Sequence, residues 1–341
     1  MKWYNLSDSV FSVEGFAVKD YENKKLYRLP ENLMDISQGM PVLAQYSAGC
    51  KVRFKTNSKT ITAKVKLSNG INPDSAVANK IPPILASGMD IYAASANSDY
   101  EFRWFAAAPN LLKDEYTADL HKFNDDMEDI LINLPVFNGI RELELGFSDN
   151  SEVLPPRAYK TEKPILFYGS SITQGACASR PGCTYASILS RWLDAPAINL
   201  GFAGNAFGEK EIAEYIANID MLAFVFDYDH NAPTPTHLEA THKQFYNIVR
   251  SKNRELPIIM LTRPMMKETD DSIQRLKIVK KTYSDAIAAG DKKVWFIDGN
   301  TLWAYFDKNE KMSATTDTCH PNDYGFISMA KTIYPVLKML V

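Results

Sequence analysis

What most constrains this chain is a change of hydropathy pattern near residue 155. Before that point apolar and polar residues alternate, as in Lys51-Val52-Arg53-Phe54-Lys55 and Thr60-Ile61-Thr62-Ala63-Lys64-Val65-Lys66-Leu67. A period of two with β-branched residues marks strands that keep one face wet. Further strands are expected at Met89–Ala93, Tyr100–Ala106, Asp129–Leu134 and Arg141–Gly146. Short strands separated by Asn, Ser, Gly and Asp turns point to an antiparallel β-sandwich over residues 1–155. Pro155-Pro156 then breaks the pattern and forms a linker.

Beyond the prolines the order becomes strand, loop, helix, repeated. Pro164–Tyr168, Ala197–Gly201, Met221–Asp227, Pro257–Thr262 and Lys293–Asp298 are nearly continuous apolar runs, as suits parallel strands buried on both faces. Helical patterns fill Tyr185–Leu193, Glu209–Ala217, Thr236–Arg250, Ser272–Ala289 and Phe326–Leu340. Residues 160–341 therefore predict a doubly wound α/β domain with a five-stranded parallel sheet.

Composition narrows the function classes. With 45% hydrophobic and 23% charged residues in 341 positions, the chain has material for a packed core, which excludes disordered and collagen-like classes. A formal net charge of -3 and the lack of a basic tract argue against nucleic acid as a partner. No apolar run reaches the ~18 residues of a membrane span. Met1–Leu6 lacks the apolar stretch of a secretory leader, so a cytoplasmic protein without a membrane partner is expected. Cys50, Cys177, Cys183 and Cys319 are scattered and suggest four thiols in a reducing compartment rather than a disulfide framework.

In a doubly wound sheet the site forms beyond the carboxyl ends of the strands. The first strand runs into Tyr168-Gly169-Ser170-Ser171-Ile172-Thr173-Gln174-Gly175, where small residues allow a sharp turn that can present a serine hydroxyl beside helix N-terminal amides. An ordinary serine cap is the alternative. The second strand runs into Gly201-Phe202-Ala203-Gly204-Asn205, where Gly204 can aim its amide into a cleft or simply serve the turn. The third runs into Asp227-Tyr228-Asp229-His230-Asn231, a polar cluster in which Asn231 can donate its side-chain amide. A metal on His230, Asp227 and Asp229 is disfavoured, because no further ligands follow at useful spacing. Ahead of the last helix stands Asp317-Thr318-Cys319-His320, where an Asp three residues before a His can orient its ring. Each segment alone is weak, but their joint placement spells a Ser–His–Asp site with two further oxyanion donors.

These segments resemble the four blocks of the SGNH (GDSL-type) esterase superfamily. Gly169-Ser170-Ser171-Ile172 is similar to the Gly-Asp-Ser-Leu block with Ser170 in place of the acid, which implies Ser171 as nucleophile and its amide as an oxyanion donor. Gly204 matches the second-block glycine, Asn231 the third-block asparagine, and Asp317 with His320 the final Asp-x-x-His. Around Asn231 the pattern departs from Gly-x-Asn-Asp, with Asp229 for the glycine and Ala232 for the aspartate. Gly88-Met89-Asp90-Ile91-Tyr92 resembles the Gly-x-Asp-Leu-Tyr signature of a β domain preceding one bacterial subgroup. The resemblance implies flavodoxin-like strand order behind a jelly-roll-like domain, and relatives that are commonly carbohydrate O-acetyl esterases.

The mechanism expected from this reading is a serine esterase without cofactor or metal. His320 takes the Ser171 proton, Asp317 orients the ring, and the Ser171 amide, Gly204 and Asn231 hold the oxyanion. Arg180, Tyr185, Asp229 and His230 are the expected substrate contacts for a hydroxyl-rich ligand, although Tyr185 packing a helix and Arg180 on a solvated loop are equally open. The expected partner is a small or glycan ester, with homo-oligomerisation open. The alternatives are a lipase-like or thioester hydrolase using the same residues and, less favoured, a carbohydrate-binding protein without activity. His237 and His242 fall on different faces of a helix and are expected to bind nothing.

Overall fold

The structure is a computed structural model that describes residues 1–68, 80–96, 98–108, 113–265, 267–307 and 310–341. Its N-terminal half supplies β1 (Lys2–Asn5), β2 (Ser12–Glu14), β3 (Val18–Asp20), β4 (Lys25–Tyr27), β5 (Lys51–Thr56) and β6 (Thr60–Leu67). It continues with β7 (Met89–Ala94), β8 (Glu101–Ala106), β9 (Glu115–His121), β10 (Glu128–Asn133), β11 (Ile140–Phe147) and β12 (Val153–Leu154). One sheet has the order β1-β11-β6-β9; the other runs β12-β5-β10-β7-β8, with β2 on the same edge of β5 as β12. Every pairing in the two sheets is antiparallel, as the alternation required. Register delivers the apolar set inward: Ile130 stands opposite both Phe54 and Ala93, and Ile132 opposite Val52 and Ile91, all buried in one core.

The C-terminal half is a parallel sheet of β13 (Ile165–Gly169), β14 (Ala197–Gly201), β15 (Ala223–Asp227), β16 (Ile258–Leu261) and β17 (Val294–Ile297). Their order, β14-β13-β15-β16-β17, is the flavodoxin-like 2-1-3-4-5. Leu166, Tyr168, Phe224 and Phe226 face one side, packed on α5 (Lys210–Ala217), α6 (Pro235–Lys252) and α7 (Asp270–Ala288). Ile165, Phe167 and Val225 face the other, packed on α4 (Tyr185–Leu193) and α8 (Asp323–Lys338). Both strand faces are therefore buried, which is why the runs read as continuous rather than alternating.

The two halves share their cores. Leu29, Leu33, Met40 and Leu43, from the segment around the short helix α1 (Met40–Leu43), join the apolar cluster on the α5–α7 side. Leu85, from α2 (Pro83–Ser87), joins Val136 and Phe137 in the cluster on the α4–α8 side. Between these contributions lies a residue that the sequence reading did not single out. Arg28 is fully buried with no carboxylate beside it among the described residues, and its guanidinium donates to the carbonyls of Leu43, Tyr46, Asn199 and Gly201 at 2.7–2.9 Å. Burial pushes it down to about 10, still a cation at neutral pH. It fastens the N-terminal segment to the carboxyl end of β14, immediately before the Phe202–Asn205 turn.

Candidate active site

The turn that carries Ser171 is set by close approach of backbone to backbone. A side chain at Gly169 would run into the carbonyl oxygen of Asp227 at the end of neighbouring β15, so only glycine lets the strands close here. Ser170 then caps the single-turn helix α3 (Ser171–Gln174), its hydroxyl accepting from the Ile172 amide at 3.1 Å. Gly175 ends it at φ +114°, with Thr184 filling the space a side chain would need. Ser171 sits first in this helix, half-buried, with its hydroxyl clear of the cap.

That hydroxyl lies 2.9 Å from Nε2 of His320, whose Nδ1 lies 2.9 Å from Oδ2 of Asp317. The carboxylate also accepts the His320 backbone amide at 2.8 Å and the Cys319 amide at 3.2 Å on Oδ1, and the Lys80 ammonium at 2.9 Å on Oδ2. Burial works to raise Asp317, but the His320 amide and ring and the Lys80 ammonium outweigh it and hold the carboxyl well below the usual range. Asp317 is thus a fixed anion beside the ring. Between the two, Thr318 takes φ +68°, a strained conformation for a β-branched residue, and the turn closes with the Thr316 amide on the His320 carbonyl at 3.0 Å.

The groups expected as oxyanion donors are the Ser171 and Gly204 amides and the Asn231 side chain. Among the described residues the amides of Ser171 and Gly204 have no protein acceptor. Gly204 has φ +67° and open space where a side chain would stand. Asn231 spends one amide hydrogen on the Phe202 carbonyl at 2.8 Å, which leaves the other free. The Phe202–Asn205 turn is itself pinned by side chains absent from the sequence-derived site. The Gln174 carbonyl oxygen accepts the Ala203 amide at 2.9 Å while its nitrogen reaches Val136 of the β domain at 3.1 Å. Asn205 donates to the Ala203 carbonyl at 3.0 Å and accepts from Ser37 and Gly39. Both stood inside the quoted segments; Asn205 carried the signal of a polar residue in an otherwise apolar turn, and Gln174, among Ser and Thr neighbours, carried none.

The expected substrate contacts fare unevenly. Tyr185 is completely buried, wedged between Phe167 and Phe326 with its hydroxyl donating to Asp227 at 3.1 Å, so it braces the sheet and meets no ligand. Arg180 is engaged by the β domain: its Nε lies 3.3 Å from Asp90 and its guanidinium 4.0 Å over the Phe102 ring. Asp90, from the Gly-x-Asp-Leu-Tyr-like segment, also accepts the Gly182 amide at 2.8 Å, which gives that segment a physical purpose as the anchor of the loop after the nucleophile. Asp229 is buried and accepts the Arg263 amide at 3.0 Å; burial pushes it up to about 6. His230 is partly exposed beside the histidine loop, with Nε2 3.3 Å from the Cys319 sulfur and Nδ1 unpaired among the described residues. Burial pushes its ring down to about 3, with Arg263, His320 and Arg275 adding to the shift, so it is neutral in the working range. His237 meets the Phe207 carbonyl and His242 stacks within the core on Phe226.

A metal was not expected. Cys177, Asp317 and His320 do bring ligand atoms within 4.8 Å of one another. Both His320 nitrogens are already committed, to Ser171 and Asp317, and burial pushes the Cys177 thiol up to about 11, away from the thiolate that a metal needs. The donor set therefore does not fit an ion. All four cysteines are free thiols.

Comparison with known proteins agrees with this architecture. The family model of the GDSL-like lipase/acylhydrolase family matches residues 162–338, and that of the GxDLY N-terminus of SGNH-hydrolase-type esterases matches residues 1–153. Among solved structures, a GDSL-like lipase from Bacteroides ovatus superposes with TM-score 0.84 at 26% identity, covering 99% of this chain and 97% of that one. A salicylyl-acyltransferase from a tetracycline biosynthetic pathway superposes with TM-score 0.78 at 16% identity, over 97% and 95% of the two chains. An acetyl xylan esterase from the rumen bacterium Butyrivibrio proteoclasticus superposes with TM-score 0.60 at 13% identity, over 99% of each chain. No curated protein matches the chain in sequence. With the two models matched one after the other along its length, the chain belongs to the GDSL-like lipase/acylhydrolase family, in the group that carries the GxDLY N-terminal domain.

Proposed function

We propose that this hydrolase cleaves short-chain acyl esters, acetyl above all, from hydroxyl-rich alcohols such as carbohydrates. The carrying observation is the continuous relay from the Ser171 hydroxyl through His320 to Asp317, with hydrogen bonds of 2.9 Å at each link. His320 accepts the Ser171 proton as that oxygen attacks the ester carbonyl, and Asp317 compensates the imidazolium that forms. The free Ser171 and Gly204 amides and the second Asn231 hydrogen stabilise the tetrahedral oxyanion. His320 then hands the proton to the departing alcohol, and water repeats the cycle on the acyl-enzyme.

Two features support a short acyl group. Ser171, Asn231 and His320 are all partly exposed, and the space over Gly204 is open, so the site is shallow rather than a chamber for a long chain. Polar side chains flank the relay, with Lys80 on Asp317 and His230 on Cys319 next to His320. The resemblance in fold to an acetyl xylan esterase agrees with this reading.

The test is hydrolysis of p-nitrophenyl acetate, butyrate and octanoate by wild type and Ser171→Ala. Acetate preference, with a loss of about 10³-fold or more in the variant, is the expected result. Octanoate preference would overturn the short-acyl reading and leave the serine hydrolase; undiminished activity in Ser171→Ala would overturn both.

A further inference from the structure

The acid of the relay has a partner that lies outside the catalytic half. Lys80 comes from the β-sandwich side of the chain, immediately ahead of α2, and its ammonium is 2.9 Å from Oδ2 of Asp317. That same oxygen receives the His320 ring at 2.9 Å. Two donors at this distance from one oxygen place the ammonium within about 6 Å of the ring nitrogen, close enough for a cation to act on the charge of the imidazole. The placement is built into the fold: the next residue, Ile81, is buried in the apolar cluster that holds Ile172 and Cys177 beside the nucleophile. The Lys80 side chain itself is 50% exposed, so it contributes little to the core.

We propose that Lys80 is a positioning residue of the relay, by which the N-terminal domain fixes the Asp317 carboxylate and weakens His320 as a base. This rests on the hydrolytic reading given above. Asp317 alone would favour a charged ring; an ammonium on the same oxygen partly cancels that pull. The other charged or titratable groups that face this region are Cys177 after α3, Cys319 in the histidine loop, His230 after β15 and Arg263 after β16. None of the two thiols or His230 carries charge near neutrality, since burial raises both thiols and lowers the ring. Arg263 pairs with Asp271 at 2.9 Å, which leaves Lys80 as the cation bonded to the relay itself.

The test is the pH dependence of kcat/KM for p-nitrophenyl acetate between pH 5 and 9, in wild type, Lys80→Met, Lys80→Arg and Ser171→Ala. Removing the cation should move the acidic limb of Lys80→Met upward by about half to one pH unit, with Lys80→Arg near the wild-type position. At about 1 M salt, where screening acts over about 3 Å, the wild-type limb should move toward that of Lys80→Met. A Lys80→Met limb that coincides with wild type, or a uniform loss that Lys80→Arg does not restore, would overturn the proposal while Ser171→Ala stays inactive. Retained activity in Ser171→Ala would instead overturn the hydrolytic reading beneath it. The half-exposed position keeps folding out of the result, and equal thermal midpoints for wild type and Lys80→Met check this.

Discussion

The turn that carries Ser171 and the loop that carries His320 meet in one hydrogen-bonded chain, yet they are held by different physics. Gly169–Gly175 is clamped by the sheet: strand closure at Gly169, the Ser170 cap, and Thr173 donating to Asp227 at 3.0 Å. Asp317–His320 lies on a loop, and its position depends on a strained Thr318, a turn bond at Thr316 and an ion pair reaching over from the other half of the molecule. The sheet-held end is rigid through backbone packing, which a change in charge barely touches. The loop-held end is electrostatic, and therefore open to tuning by pH and salt. A relay with one fixed and one adjustable end can keep attack geometry constant while its proton affinity is set elsewhere.

The comparison can be broken most severely at Asn231, the proposed oxyanion donor in the turn after β15. Asn231→Ala should lower kcat by about 10²–10³-fold with little change in KM, measured on p-nitrophenyl acetate. A smaller loss would mean that the two backbone donors suffice. Arg28→Met acts at the carboxyl end of β14, because four carbonyls at this junction lose their donor. We expect a destabilisation of about 3 kcal/mol or more in chemical denaturation. If activity per folded molecule also falls, the Phe202–Asn205 turn is the affected element.

The most selective effect expected is at Asp227. Burial, with Asp229 nearby, pushes this carboxyl up to about 8 from 3.8, so the folded state holds its proton more tightly than the unfolded chain between those values. Stability should therefore fall as pH rises through that window. Asp227→Asn cannot ionise, yet keeps an acceptor for Tyr185 and Thr173. Its thermal midpoint relative to wild type should rise with pH from about 4 to 8, by at most about 1.4 kcal/mol of stability per unit. A pH-independent difference would show that Asp227 is ionised in the folded protein.

Legibility followed range along the chain. Strand positions in the parallel sheet could be read because burial on both faces leaves continuous apolar runs, and Ser171, His320 and Asp317 because each stands at a strand end or in a three-residue spacing. Substrate contacts were harder. Tyr185 and Arg180 looked equally suited to a ligand, and what separates them from the site is the partner each finds: Asp227 for one, Asp90 for the other, the latter 90 positions earlier in the chain. Residues 29–44 lie within the half that reads as β-sandwich, yet Leu29, Leu33, Met40 and Leu43 pack against the α/β sheet. A hydropathy pattern reports that a side chain is buried and carries no record of which surface buries it.

The sequence by itself determined the two architectures and the order of the polar groups along the strand ends, because these rest on local periodicity and short spacing. Tertiary structure alone decided that Arg28 holds the β14 end, that Gln174 and Asn205 shape the oxyanion turn, and that Lys80 reaches Asp317 across 237 positions. Such contacts are formed when distant segments close on one another, and a polar residue in isolation looks the same whether it will meet water or a buried carbonyl.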